Sequence, residues 1–165
     1  MGVKTDIFIK DRADPFIIKG SDGYYYFTAS YPMYGKNDPE GYDRIILRRS
    51  KTISGLPSAE EKVIWHEKNS DTSFRFIWAP EIHEINGRWY VLFAASASKD
   101  NVWDIDCHII MCSGNDPYND SWVDKGKLTS ADNDDFSFRG FSPFCKVLRP
   151  VTRKAQSKAQ HRRSC

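Results

Sequence analysis

Asp14 is the first residue of this sequence whose surroundings suggest chemistry. It stands directly before Pro15 and a short apolar run, so we expect a carboxylate fixed at the start of a strand. Proline restricts its own φ and favours an extended conformation for the residue before it, which predicts an extended Asp14. A carboxylate held in this way could act as a base or bind a ligand. Asp-Pro is also a common way to begin a turn, so the dipeptide alone does not separate the two interpretations.

The segment from Trp78 to His83 is a second candidate. It places an indole ring, the carboxylate of Glu81 and an imidazole within six residues. Such a ring can stack on the face of a sugar while the acid accepts hydrogen bonds from hydroxyl groups, so the segment is typical of a carbohydrate site. The alternative is a tryptophan of the core with an acid at a strand edge and a solvated histidine, and the segment alone favours neither.

Two further acidic segments give weaker indications. Asp43 adjoins Arg44, which predicts a local ion pair at the surface, and Arg44 is kept as a candidate substrate-binding cation. In the segment that begins at Trp103, Asp104 and Asp106 have the spacing that puts two side chains on one side of a strand. No histidine or third acid lies at a spacing that suits a metal, so we predict a loop without a metal site.

These residues lie in a sequence punctuated like an all-β protein. Short apolar or aromatic runs are separated by turn signals, among them Asp22-Gly23 and Asn86-Gly87, which are typical of hairpins. No long segment shows an apolar period of 3.6 residues, which argues against a helical fold. The predicted strands cover residues 15–19, 24–30, 45–47, 62–66, 81–85, 88–95 and 107–112, with Trp122 closing the last unit.

The hairpin pattern occurs twice. Pro15 corresponds to Pro80 at an offset of 65 residues, and Gly23 corresponds to Gly87 at an offset of 64. Four short strands recurring at this period predict blades of a β-propeller. The innermost strand of each blade begins near the central channel, so Asp14 would point into the funnel where a ligand binds. Two unrelated hairpins with similar turns are the alternative.

Composition limits the class of protein. The 165 residues are 40% hydrophobic and 14% aromatic with a formal net charge of +2, which is typical of a soluble globular domain. No apolar run approaches the ~20 residues of a membrane span, and the N-terminus lacks the pattern of a secretory signal. We therefore expect a cytoplasmic protein without a membrane partner, whose four cysteines are reduced thiols.

Residues 143–165 differ from those before them. They carry seven Lys or Arg and no Asp or Glu, whereas residues 1–142 are mildly acidic. We interpret residues 1–142 as propeller blades and residues 143–165 as a basic, disordered tail foreign to the fold. A reading-frame shift after Ser142 is one hypothesis for its origin. The tail lacks interleaved aromatic residues, so we expect no nucleic-acid partner.

Taken in order, these motifs resemble glycoside hydrolase family 43, and in particular its α-L-arabinofuranosidase-like members. The resemblance covers residues 8–142 and implies a five-bladed β-propeller that hydrolyses arabinosides or xylosides with inversion. About two to two and a half blades then lie in this chain, and the propeller is incomplete. The likeness rests on Asp14-Pro15 before residues 22–30, on Arg48-Arg49-Ser50 before residues 53–56, and on residues 78–83 before residues 86–90.

The resemblance also implies roles for individual residues. Asp14 matches the general base of the family. Trp78 and Glu81 match a segment that lines the sugar pocket. His83 and Arg44 are further candidates for substrate binding.

Other parts of the family's machinery have no counterpart in this sequence. A second aspartate would follow Phe141-Ser142, where Pro143 stands instead. The general acid, and a histidine associated with a central ion in some relatives, belong to later blades, so we expect no cofactor or metal ligand here.

Two interpretations of function remain. One is a family enzyme acting on arabinose- or xylose-containing oligosaccharides of plant cell-wall polysaccharide, weakly active or inactive as this chain. The other is a non-catalytic carbohydrate-binding or structural propeller fragment. Exposed blade edges would allow self-association in either case.

Overall fold

The computed structural model describes residues 7–33, 41–69, 75–96 and 101–129. These residues form an all-β fold in which every predicted strand is present. The strands are β1 (Ala13–Lys19), β2 (Tyr25–Ser30), β3 (Arg44–Ser50), β4 (Glu61–His66), β5 (Arg75–Ile85), β6 (Arg88–Ser96), β7 (Ile105–Cys112) and β8 (Trp122–Lys127). Two 3-10 turns, Ile53–Ser58 and Glu67–Asn69, follow β3 and β4. The main difference from the prediction is that β5 begins at Arg75 rather than at Glu81.

The strands form two four-stranded sheets, β1-β2-β3-β4 and β5-β6-β7-β8. Every neighbouring pair within a sheet is antiparallel and consecutive in sequence. This arrangement confirms the predicted repeat of four short strands. The basic tail at residues 143–165 lies outside the described residues, so its prediction stays a prediction.

The turns explain the change of offset between the repeats. Asn86 and Gly87 both have positive φ, 51° and 74°, which is the two-residue hairpin turn that matches strand twist. In the first repeat the turn is longer. There the Gly20 N–H donates to the Tyr24 carbonyl at 2.8 Å, and only Gly23 has a positive φ among the turn residues.

The core lies between the two sheets. Trp65 on β4 and Phe93 on β6 have ring centroids 5.6 Å apart, and Tyr26 on β2 lies 4.8 Å from Trp89 on β6. All four side chains are at most 3% exposed, and burial of this size is the main favourable term in folding. The rest of the cluster is aliphatic or small: Ile45, Leu47, Ile77, Ile82, Val91, Ala95, Ile110 and Cys112.

A polar contact joins the sheets away from the core. Arg49 on β3 donates from Nη1 to both carboxylate oxygens of Asp116, at 3.0 and 3.2 Å. Its guanidinium also lies over the rings of Tyr24 and Tyr118, at 4.9 and 4.7 Å from their centroids. Lys62 adds a hydrogen bond to Asn119 of the same loop. The loop between β7 and β8 is therefore tied to the first sheet.

The segment predicted as a loop around Asp104 is partly a strand. Trp103 is 78% exposed, but Ile105 and Asp106 begin β7. Asp106 forms an ion pair with Lys127 on β8 at 3.0 Å. Within the described ranges, no helix is long and apolar enough to cross a membrane.

Candidate functional site

The backbone at Asp14 differs from the prediction. Asp14 has a φ of +49°, in the left-handed region, so the prediction of an extended conformation is wrong. A β-bulge between Ala13 and Phe16 interrupts the pairing with β2. Phe16 and Ile18 pack on the core, and strict alternation would place Asp14 on the same face as both. The bulge instead removes Asp14 from that core-facing side of the strand, and the residue is exposed.

Ser30, the last residue of β2, holds the Asp14 carboxylate. Its hydroxyl donates to Oδ2 of Asp14 at 2.8 Å, and its oxygen accepts a hydrogen bond from the backbone N–H of Ala79 at 2.7 Å. Ser30 is 1% exposed. Because Ala79 lies on β5, this serine links the carboxylate to the second sheet.

The second sheet repeats this backbone geometry with different side chains. Ala79 has a φ of +45° and precedes Pro80, as Asp14 precedes Pro15. A residue before proline is disfavoured in this conformation, so each site stores backbone strain. Such strain is concentrated at functional sites in proteins.

Trp78 lies beside two further aromatic residues. Its ring stacks on Phe76 at a centroid distance of 5.6 Å and an interplanar angle of 14°, and Tyr42 lies 6.0 Å away. All three rings are half-buried. Tyr42 and Phe76 also have positive φ, 60° and 58°, which is rare for bulky side chains. The sequence predicted Trp78 at the site but neither of its neighbours.

Bulges also set the face on which Trp78 and its neighbours lie. Ile77 and Ile82 both point into the core although they are five residues apart, so the phase of β5 changes between them. The register of β5 shifts between Trp78 and Glu81. In a regular strand Trp78 would share the face of Ile82. The bulge removes it from that face.

Glu81 and His83 form a local pair. Nε2 of His83 lies 3.2 Å from Oε2 of Glu81, and its ring is 5.1 Å from the ring of Phe16 on β1. Both side chains are partly exposed. These two candidate residues therefore lie together on β5, and His83 contacts β1, the strand that carries Asp14.

The pair Asp43–Arg44 is not the surface pair that the sequence predicts. Asp43 is 5% exposed, and its two oxygens accept hydrogen bonds from Nε and Nη2 of Arg44 at 2.6 and 2.9 Å. Nε2 of His66 lies 3.1 Å from the same carboxylate. Backbone bonds join this segment to the turn after β4 and to β5, because the Asp43 carbonyl accepts from Glu67 N–H and the Tyr42 carbonyl accepts from Ile77 N–H. Asp43 thus anchors the segment that places Tyr42 against Trp78.

A second charged network includes Arg12, two residues before Asp14. Glu61 accepts hydrogen bonds from Arg12 and Arg48, and the guanidinium groups of Arg12 and Arg44 lie over the ring of Tyr31 at 4.1 and 4.4 Å. Burial by itself would raise the pKa of Glu61, but the hydrogen bonds and charges of Arg12 and Arg48 outweigh it and hold that pKa below its ordinary value. The strand that carries Asp14 is fixed at its start by this network.

Other titratable groups are buried within the second sheet. Burial raises the pKa of the Cys107 thiol to about 12 and lowers the pKa of His108, so both side chains are neutral at pH 7. Cys107 and Cys112 are free thiols. Across the described ranges, no group of three His, Cys, Asp or Glu side chains is arranged to hold a metal ion.

The structure therefore connects some of the predicted site residues with one another and gives others different partners. Asp14 and the Trp78 segment meet through Ser30, and Glu81 pairs with His83. Arg44 is engaged by Asp43 and Tyr31. Sequence reasoning missed three residues, Ser30, Tyr42 and Phe76. A closer alignment of the two repeats would have drawn attention to Ser30, because alanine stands at its equivalent position, 94.

Comparisons with known proteins agree with this architecture. The family model of Glycosyl hydrolases family 43 matches residues 4–140. An extracellular exo-α-(1→5)-L-arabinofuranosidase of Streptomyces avermitilis is 44% identical over 76% of this chain, and one of Streptomyces chartreusis is 41% identical over 83%. The crystal structure of an α-L-arabinofuranosidase from Lactobacillus brevis superimposes with a TM-score of 0.63, at 38% identity over 76% of the chain.

The matched region is a small part of each relative. It spans 24% and 41% of the two Streptomyces proteins and 39% of the Lactobacillus brevis chain. Both Streptomyces proteins are described as extracellular. The expectation of a cytoplasmic location is therefore wrong, because these two relatives, each more than 40% identical to the chain, are extracellular proteins.

Proposed function

Because the chain belongs to glycosyl hydrolases family 43, we propose that it supplies the general base, Asp14, of a site that hydrolyses α-L-arabinofuranosides with inversion. One observation carries the proposal: the Asp14 carboxylate is exposed while a buried serine holds one of its oxygens. β-Xylosides are the second substrate class that the family likeness suggests. The two Streptomyces relatives, named as arabinofuranosidases, favour the arabinosides.

The chemistry requires two carboxyl groups. In an inverting glycosidase a carboxylate takes a proton from water as the water attacks the anomeric carbon, and a carboxylic acid roughly 6.5–9.5 Å away protonates the leaving oxygen. Asp14 has the exposure that the first role needs. In the family the acid comes from a later blade, so the proposal assigns only the base to the described residues.

The aromatic residues around Trp78 fit recognition of the sugar. Trp78 presents a half-buried ring stacked on Phe76 and flanked by Tyr42, and Ala79, the next residue, is bonded to the serine that holds Asp14. We propose that a sugar stacks on this ring and reaches the Asp14 carboxylate, because Ser30 connects Asp14 to the residue after Trp78. Glu81, His83 and Arg44 are proposed as hydrogen-bonding groups around it.

A substrate with an activated leaving group tests the base separately from the acid. 2,4-Dinitrophenolate leaves without protonation, so 2,4-dinitrophenyl α-L-arabinofuranoside requires only the base. We expect Asp14→Asn to lower kcat/KM by about 100-fold or more. Asparagine tolerates the left-handed backbone, so the change removes basicity and preserves shape. Asp11→Asn is the matched control, because Asp11 is exposed with a φ of +58°, and it should keep the wild-type rate.

The stereochemistry gives an independent result. Proton NMR of the first product should show the β-anomer of arabinose for inversion, and the α-anomer would contradict the mechanism. Equal rates for wild type and Asp14→Asn would contradict the role of Asp14. Calorimetry with arabino- and xylo-oligosaccharides tests the alternative of a non-catalytic carbohydrate-binding protein. Binding of these sugars, with no hydrolysis that depends on Asp14, would support that alternative.

A further inference from the structure

We propose that Ser30 is a positioning residue for the catalytic base, and that it fixes the Asp14 carboxylate relative to the second sheet. This inference rests on the proposed function, because it assigns Ser30 a role in the reaction of Asp14. It goes beyond that function because it makes the geometry of the base depend on a strand of the neighbouring sheet.

The hydrogen bonds around Ser30 leave its proton one destination. The Ala79 N–H can only donate, so the Ser30 oxygen accepts it at 2.7 Å. The hydroxyl proton then points to Oδ2 of Asp14 at 2.8 Å. A hydrogen bond to a carboxylate is charge-assisted and stronger than a neutral one. The backbone of β5 thus orients the hydroxyl, and the hydroxyl orients the carboxylate.

Burial makes this orientation rigid. Ser30 is 1% exposed, so water does not compete for its hydroxyl, whereas Asp14 is exposed and would otherwise sample several rotamers. A base must hold the attacking water in line with the anomeric carbon. A misplacement of the base by about 1 Å can lower the rate of the reaction by as much as 100-fold.

The second repeat shows that the fold does not require this pair. Ala79 and Ala94 stand where the first repeat has Asp14 and Ser30, since Ala13 pairs with Ser30 just as Trp78 pairs with Ala94. The same bulge and the same left-handed residue before proline form there with two alanines. A carboxylate and a hydroxyl at these two positions are therefore not needed for a sheet to form this bulge.

The first test is kinetic and uses the full chain with 2,4-dinitrophenyl α-L-arabinofuranoside. We expect Ser30→Ala to lower kcat by about 10- to 100-fold with little change in KM, and Ser30→Thr, which keeps the hydroxyl, to restore most of the rate. Adding Asp14→Asn to Ser30→Ala should cause much less further loss than it does alone, because the two residues act as a unit. Ser96→Ala is the control, since Ser96 is a buried serine at the end of β6 that donates to the Asn101 carbonyl.

The second test does not depend on turnover. Three-bond Hα–Hβ couplings of Asp14 report its χ1 distribution. We expect one rotamer in the wild type and in Ser30→Thr, averaged couplings in Ser30→Ala, and a displaced Ala79 amide resonance in Ser30→Ala. Averaged couplings in the wild type would overturn the inference, and so would Ser30→Ala with a wild-type kcat.

The role of Asp14 as the base and the role of Ser30 in positioning it can fail separately. If turnover is independent of Asp14, the proposed function fails, and the coupling constants still decide whether Ser30 orients the carboxylate. If turnover depends on Asp14 but not on Ser30, the proposed function stands and the role of Ser30 is wrong.

Discussion

Asp14 and Ala79 occupy equivalent positions of the two sheets and share a left-handed backbone directly before a proline, with φ of +49° and +45°. The same strained turn thus presents a carboxylate in the first sheet and a backbone N–H in the second. Ser30 connects the two.

Glycine should be accepted at position 79 more readily than at position 94. Ala79→Gly relieves a left-handed conformation that costs L-residues roughly 1–2 kcal/mol, whereas Ala94→Gly, inside the strand β6, costs about 0.5–1 kcal/mol. Urea unfolding should rank Ala79→Gly as the more stable variant by about 1 kcal/mol or more. The reverse order would show that position 79 is not strained.

Trp65 should be essential for stability, and Trp103 should not. Trp65 is 2% exposed and packs against Phe93 across the sheets, whereas Trp103 is 78% exposed. We expect Trp65→Ala to lower the free energy of unfolding by about 3–5 kcal/mol and Trp103→Ala to change it by less than about 0.5 kcal/mol. Denaturant unfolding followed by far-UV circular dichroism measures both, and similar losses would contradict the location of the core.

Glu61 should make stability sensitive to acid. Its pKa is held below the ordinary value of 4.5, so the folded protein binds a proton there less readily than the unfolded chain. That contribution is present above pH 4.5 and is lost as the pH falls through the folded pKa. We expect Glu61→Gln to cost about 1–3 kcal/mol at neutral pH, and the difference from wild type should shrink towards about pH 3.

The control for this pH series is Asp104→Asn. Asp104 is exposed, so its loss should not reproduce the pH-dependent difference. A Glu61→Gln deficit that stays constant from neutral pH to about pH 3 would show that the ion pairs with Arg12 and Arg48 are not its cause.

Arg49 and Asp116 should be energetically coupled. The pair joins β3 to the loop between β7 and β8 at 3.0 Å, with side-chain exposures of 23% and 39%. Because it is accessible to solvent, a double-mutant cycle with Arg49→Ala and Asp116→Ala should give a coupling of about 0.5–1 kcal/mol that decreases in salt. A coupling of zero at low salt would mean that Arg49 acts only through its contacts with Tyr24 and Tyr118.

Trp78 should contribute to sugar binding if the proposed site is correct. Loss of a stacking ring is worth about 0.5–1.5 kcal/mol, which corresponds to roughly 2- to 12-fold in Kd. We expect Trp78→Ala to weaken arabinotriose binding in calorimetry by about this factor and Trp103→Ala to leave it unchanged. Equal affinities for the two variants would place the sugar elsewhere.

The sequence predicted the strands well because their signals are local. Short apolar or aromatic runs and the Asn86-Gly87 turn act over a few residues, and the structure confirms the predicted strands and this turn. The repeat was also visible from the prolines at positions 15 and 80. Family membership followed from the order of these motifs, and the family match confirms it.

The conformation of Asp14 and the burial of Asp43 were predicted wrongly for related reasons. The preference of a residue before proline is a local tendency, and at Asp14 the β-bulge and the bonds across to the second sheet override it. Asp43 looks like half of a surface pair in sequence, but His66 and the backbone of Glu67 close over it. In both cases the contacts that decide the outcome join residues that are far apart in the sequence.

The sequence by itself determined that this is an all-β chain with two repeated hairpin units, and that an aspartate before a proline stands at the start of the first. Those features depend on neighbours along the chain. Only the tertiary structure decided that Asp14 is exposed and held through Ser30, because the Ser30 hydroxyl that donates to Asp14 is itself bonded to the N–H of Ala79, sixty-five positions from Asp14. A contact made across two sheets has no signature in the local pattern of either strand.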